Sequence, residues 1–340
     1  MSMSKMAQGL DDSDKFIKKQ IIHWQKHNKF KTSDIRDSTP NVSKMSYKTF
    51  NERIGNPWSR LEKKRKPLTP DQMLYIDTIA KFGKVIVDKN RKGGFSEAYM
   101  RKKAKDVFTR DSGSDIVFLA GTGQSLATEL LDRFDELFEN GLIDDDNKKW
   151  GYGDIILKKV FTSPSHVELY NGSRAFSIPA TNRGQGPNLR GTNKISSMWD
   201  TEAAHTGLSR DGVVLNAMTA NLANIDYGEV VFESTPNGKR GMFWNLWNGA
   251  EVPGHTTLPS RPALLGPNKY ARLLFSYETS VKYKVISQKF IDDEMANPEV
   301  DFDQEYRGKF TTSKNAAFDD DEIKYLDDGE SSLDLSIMLE

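Results

Sequence analysis

No cysteine occurs in the 340 residues, which removes disulfides, thiolate zinc sites and cysteine nucleophiles in one step and fits a reducing, intracellular setting. Nor is there an excess of charge of either sign. Lysine plus arginine and aspartate plus glutamate number 48 each, so no basic field of the whole chain announces a nucleic-acid binder, and any such contact must be local. No run approaches the roughly 18 apolar residues of a membrane span, and the opening MSMSKMAQGLDDSDKF lacks the apolar core of a signal peptide. No internal repeat of roughly 20 to 50 residues recurs. What remains is a soluble, folded chain, long enough for one large domain or two ordinary ones.

What is there divides in three. Residues 1–66 read as a small helical appendage and linker: a short helix over 14–27, a polar turn-rich stretch with a second helix around 47–54, and the basic run RLEKKRK, read as a solvated linker. Residues 67–326 alternate. A helix with Met73, Ile76 and Ile79 on one face leads into KVIVD, a short apolar run bounded by charge, as a buried parallel strand reads. Strands follow over 116–120, 155–161, 166–170, 175–178, 194–199, 229–233 and 272–277, with helices over 98–108 and 125–140. This predicts an α/β domain with a mostly parallel central sheet flanked by helices, whose ligands sit outside the carboxyl ends of the strands. Residues 327–340 read as an acidic tail.

Three strand ends carry candidate chemistry. Between the first strand and its helix lies KNRKGGFSE. A phosphate loop needs glycines for the curl, a helix N-terminus for its amides, a cation for the phosphates and a hydroxyl for the metal. Gly93, Gly94 and Ser96 supply the curl and the hydroxyl, while Phe95 stands where the usual pattern has lysine, leaving Lys89, Arg91 and Lys92 to bring the charge. Alone, this is as well read as an ordinary turn. Roughly 105 residues later SSMWDTEAAH ends a strand in Asp200 and Glu202, one carboxylate to hold magnesium and one to orient the attacking water, or merely a solvated strand end with a helix cap. Some 30 residues further, STPNG places Ser234, Thr235 and Asn237 at a third strand end, as a γ-phosphate sensor or as a simple Pro-Asn-Gly turn.

The order of these parts resembles the ATPase domain of a viral terminase large subunit, the motor that packages DNA into the heads of tailed viruses. The matching pieces are PLTPDQ, KNRKGGFSE, NGSRAFSIPA, NLRG, WDTEAAH, FESTPNGKRGMFWNLW and DFDQEYRGKFTTSKNAAF, spanning about residues 67 to 320. The resemblance implies a P-loop NTPase of the RecA/ASCE-like kind that binds ATP and Mg2+ and translocates double-stranded DNA into a procapsid. It implies a portal protein and a small terminase subunit as partners, a homo-oligomeric, pentameric ring, and action in the host cytoplasm. Residue by residue, Gln72 resembles the family's adenine-reading glutamine, Gly94 and Ser96 the phosphate and metal contacts, Arg190 an arginine that reaches a neighbouring subunit's nucleotide, and 234–238 the coupling motif.

Two departures accompany the match. The family writes adjacent Asp-Glu, whereas alignment on EAAH puts Thr201 in the aspartate's place and Asp200 one residue early; Asp200 is expected to reach the metal by a local shift. The family also continues into an RNase H-like nuclease, and the closing acids read as helix and tail, so no nuclease activity is expected of this chain. Two other readings stand beside the motor: a non-catalytic ATPase-like module that binds DNA or a partner, and a helicase-type translocase, which would need a second motor lobe.

Overall fold

The computed structural model describes residues 39–54, 67–161, 165–179, 195–206, 228–248, 264–265 and 270–311. Its helices are α1 (Tyr47–Arg53), α2 (Pro70–Phe82), α3 (Phe95–Asp106), α4 (Gln124–Glu136), α5 (Tyr152–Ile155), α6 (Gly241–Asn248), α7 (Tyr277–Lys282), α8 (Gln288–Ala296) and α9 (Phe302–Arg307). Its strands are β1 (Lys84–Lys89), β2 (Asp115–Ala120), β3 (Leu142–Ile143), β4 (Lys149–Trp150), β5 (Ile156–Val160), β6 (His166–Leu169), β7 (Arg174–Pro179), β8 (Ile195–Thr201), β9 (Glu229–Ser234), β10 (Leu264–Leu265) and β11 (Ala271–Phe275).

Among the described residues nine strands form one sheet in the order β10-β11-β1-β9-β8-β2-β7-β6-β5. From β11 to β7 every pairing is parallel; β10, β6 and β5 add antiparallel edges. The inner strands are buried almost end to end, which is why they read as continuous apolar runs and not as alternating ones. The strand ending in the acids is separated from the one entering the glycine loop by β9. Because all three run the same way, their carboxyl ends share one edge.

Period-two alternation divides the core. One cluster, with Val85, Val87, Trp199, Val231, Leu273 and Phe275, packs under α2, α3 and α4; the other, with Ile86, Met198, Phe232 and Leu274, packs under α6. Phe243, Trp244 and Trp247 of α6 pack their rings around Phe310.

The helix start at α2 follows from TPDQ. Thr69 caps it, Pro70 takes the first turn where no amide is needed, and Gln72 closes a capping box. Residues 39–54, read as part of an appendage, are integral to the domain: Val42, Met45, Phe50 and Ile54 are buried in the first cluster, and the Tyr47 hydroxyl donates to Asp106 at 2.8 Å. The helix expected over 14–27 and the basic run 60–66 lie outside the described residues.

The least expected feature is α3. Its second half, RKKAKD, is dense in charge, yet Arg101 through Asp106 are all buried. Three cations, Lys102, Lys103 and Arg110, meet three anions, Asp106, Asp111 and Glu229. The Glu229 carboxylate, fully buried at the start of β9, lies 2.7 Å from each of the three cations and also accepts from Tyr99 at 2.8 Å. The balance of charge is what allows burial.

Candidate active site

β1 delivers Lys89 at the sheet edge, and the chain then turns through Asn90–Gly94 into α3. Lys92 (φ 64) and Gly94 (φ 75) both adopt left-handed backbone. The loop is wired in place: the Gln72 side-chain amide donates to the carbonyls of Gly93 and Gly94 at 3.1 and 3.2 Å while its oxygen accepts from Thr69. A Cβ at Gly94 would stand 2.7 Å from that amide. Gln72 is therefore occupied at both ends, as an anchor of the loop. The Arg91 amide donates to the carbonyl of Glu305, and the Arg91 and Lys92 side chains face solvent.

Phe95 points into the core, stacked on Phe275 at 4.4 Å and edge-on to Tyr75 at 5.7 Å, so it fastens the first turn of α3 and brings no charge. The buried cation at the start of the loop is Lys89, whose ammonium lies 2.8 Å from the carboxylate of Glu202. Burial alone would push the lysine down, but Glu202 and Glu233 hold it above its ordinary value. Burial would likewise raise Glu202, and Lys89 pulls it below the usual carboxylate range. Both are ionised: a closed pair spanning the loop strand and the acid strand.

Glu202 sits one residue past β8 with φ 58 and ψ 38, a left-handed conformation that costs a non-glycine residue on the order of 1–2 kcal/mol. The neighbouring strand enforces it. The Gly121 amide donates to Thr201, and a Cβ on Gly121 would meet the Glu202 carbonyl oxygen at 2.2 Å. Since the obstruction is backbone, Gly121→Ala is expected to cost about 1–3 kcal/mol and to displace Glu202; a thermal melt reads the first effect, and a variant as stable as wild type would refute it.

Asp200 does not join this group. Ser197 touches Tyr99 at 3.1 Å and Trp199 stacks on it at 4.5 Å, so the odd-numbered residues of β8, Thr201 included, face α3. Asp200 is on the opposite face with Met198, in register with Leu119 and Phe232 of the second cluster. The expected local shift is absent because the strand stays regular through Thr201.

A carboxylate that the sequence reading passed over stands instead beside the loop. Glu233 of β9, fully buried, accepts from Ser96 at 3.1 Å, Tyr75 at 2.6 Å and Trp199 at 3.3 Å. Burial raises it above its ordinary value, against the pull of Lys89. The available signal was FES: an apolar strand closing on an acid, with period two sending Glu233 and Ser234 to opposite faces.

The turn after β9 is tied to the segment that follows Glu202. His205 Nε2 lies 3.2 Å from the Thr235 hydroxyl, and Asn237 donates to the Ala204 carbonyl at 3.1 Å. Ser234 is buried, in register with Asp88 of β1, and the Gly238 amide donates to Gln304 of α9 at 2.9 Å. Arg190 lies outside the described residues.

No family model and no curated protein matches the chain. Among solved structures it is similar to the large terminase ATPase domain of Thermus phage P74-26, at 17% identity and a TM-score of 0.49, over 73% of this chain and 95% of that one. It is similar to the large terminase of a thermophilic bacteriophage, at 11% identity and a TM-score of 0.49, over 72% and 54%. It is also similar to the HK97 bacteriophage large terminase, at 14% identity and a TM-score of 0.43, over 59% and 39%. All three are large terminases, the family that the motif order in this sequence resembles.

Proposed function

We propose that this chain is an ATP-hydrolysing motor domain that drives double-stranded DNA into a viral procapsid in the host cytoplasm. The observation that carries the hydrolytic half is the Lys89–Glu202 pair, 2.8 Å apart at the mouth of a glycine loop that opens α3. A lysine able to hold phosphate and a glutamate able to orient water already share one space. Phosphate entering the loop competes with Glu202 for Lys89, so occupancy itself frees the carboxylate to act on the attacking water. The amides at the start of α3 favour the same anion.

The motor half rests on the order of motifs and on the turn at 234–238, which hydrogen-bonds to the residues directly after Glu202. A change at Glu202 therefore has a short route to the surface, where Lys239 and Arg240 are exposed and suited to a DNA phosphate. Arg190 is proposed as the cation lent to a neighbouring subunit of a pentameric ring, and a portal protein and small terminase subunit as partners. Magnesium that arrives with a nucleotide asks for few protein donors, one or two carboxylates beside the phosphates, and when bound it neutralises charge developing on them. The Ser96 hydroxyl beside a carboxylate fits that demand, although among the described residues no group of three or more metal-binding side chains gathers.

Phosphate release in the presence of magnesium, at high protein concentration and with and without DNA, is expected to give turnover that DNA stimulates. The non-catalytic module is favoured by one observation, Asp200 facing away from the loop; nucleotide binding without any phosphate release would establish it in place of the motor.

A further inference from the structure

We propose that Glu233, and not Asp200, is the carboxylate that stands beside the divalent cation of the nucleotide. The inference rests on the ATPase reading and deepens it. In the resembling family the acid comes from the strand that precedes the catalytic glutamate, one residue before it; here that position is Thr201, a neutral hydroxyl. A hard cation held by phosphate oxygens is best served by an anionic oxygen, so a site with threonine there lacks its carboxylate unless another strand supplies one.

β9 supplies it. In a parallel pair, residues in register face the same side, and Thr201 is in register with Glu233. Glu233 thus occupies the same face at the same height, one strand nearer the loop. Its carboxylate already receives the Ser96 hydroxyl at 3.1 Å, the hydroxyl that the loop pattern assigns to the metal. Tyr75 and Trp199 hold it from behind through hydrogen bonds of 2.6 and 3.3 Å, fixing its direction in the manner of outer partners around a metal ligand. Asp200, one residue from Thr201, is committed to the other face, beneath α6. The pairing of strand and acid has been exchanged, with the carboxylate moved sideways by one strand at constant height.

The test separates binding of nucleotide from its dependence on the cation. A fluorescent N-methylanthraniloyl ATP is titrated into the whole chain with excess EDTA and again with magnesium chloride. Wild type is expected to bind more tightly with magnesium. Glu233→Gln keeps the shape and the acceptor for Tyr75, and should lose that enhancement by about ten-fold or more, with its affinity in EDTA level or raised because a negative charge beside the loop is gone. Asp200→Asn should retain the enhancement. The double variant Thr201→Asp/Glu233→Gln, which returns an acid to the neighbouring strand, should recover it.

An undiminished magnesium effect in Glu233→Gln overturns the proposal. So does an equal loss of affinity in EDTA and in magnesium, since that marks a structural role. Should Glu233→Gln fail to fold, Glu233→Asp decides the matter: a shorter carboxylate should weaken the magnesium effect, and an unaltered one overturns the proposal. A wild-type protein that binds no nucleotide under either condition defeats the ATPase reading itself, an outcome distinct from binding that ignores magnesium.

Discussion

Replacing Glu202 by glutamine is expected to lower phosphate release by about a hundred- to ten-thousand-fold, the range for loss of a positioned general base, while nucleotide binding persists. The charge of Glu202 has two duties that the substitution separates. It pairs with Lys89 at 2.8 Å, and under the hydrolysis proposed above it would, once phosphate holds that lysine, take a proton from water. Glutamine ends both, so the released lysine meets phosphate without first leaving a partner, and affinity should stay level or rise as turnover collapses. That opposite movement is diagnostic, because a variant that merely unfolds the β8 exit would lose binding as well. Wild-type turnover in Glu202→Gln would remove the catalytic assignment and leave the pair as a structural contact.

Replacing Glu229 by glutamine is expected to cost about 3–5 kcal/mol of stability, the penalty for removing one partner of a buried ionic group, and to lower the melting temperature by on the order of 10 °C. Glu229 lies among Lys102, Lys103 and Arg110 with no solvent in reach, and without it the network keeps three cations against two anions. The pH dependence has a definite sign. Burial alone would raise Glu229, but the three cations hold it well below the ordinary carboxylate value, so its contribution is present above the unfolded value and is lost as the pH falls through the lower folded one. Wild type should therefore keep this contribution through mildly acid conditions near pH 5, where ordinary glutamates are still ionised, and the stability gap between wild type and Glu229→Gln should narrow at more acid pH. Equal urea midpoints at pH 7 would show that the network adds nothing.

Much of the architecture was legible because the strands that build it are short apolar runs between turns. KVIVD, the run at 116–120 and the one at 229–233 appear as β1, β2 and β9, each within a residue or so of the expected place. The loop at 89–97 and the acid at 202 were found through residue type and order. What the sequence concealed was facing. Asp200 and Glu202 look like a pair on paper, but in a regular strand residues 199 and 201 share a face and 200 has the other, so the shift that would have brought Asp200 inward never occurs. Glu233 stayed hidden for the converse reason, since its neighbours in space, Ser96 and Thr201, lie 137 and 32 residues away along the chain. The burial of RKKAKD was not legible, because its countercharges, one of them on a distant strand, come together only in the fold.

The two glutamates of β9 lie on one face, four residues apart, at opposite ends of the strand. One is sunk in the ionic knot at the foot of α3 and the other is gripped by Tyr75, Ser96 and Trp199 at the loop. Sliding this strand along its axis would tear both sets of bonds together. β9 is thus a post fixed at both ends, and under the motor function proposed above movement at the site would leave through the turn at 234–238, tied to Ala204, His205 and Gln304, with the strand beneath it standing still.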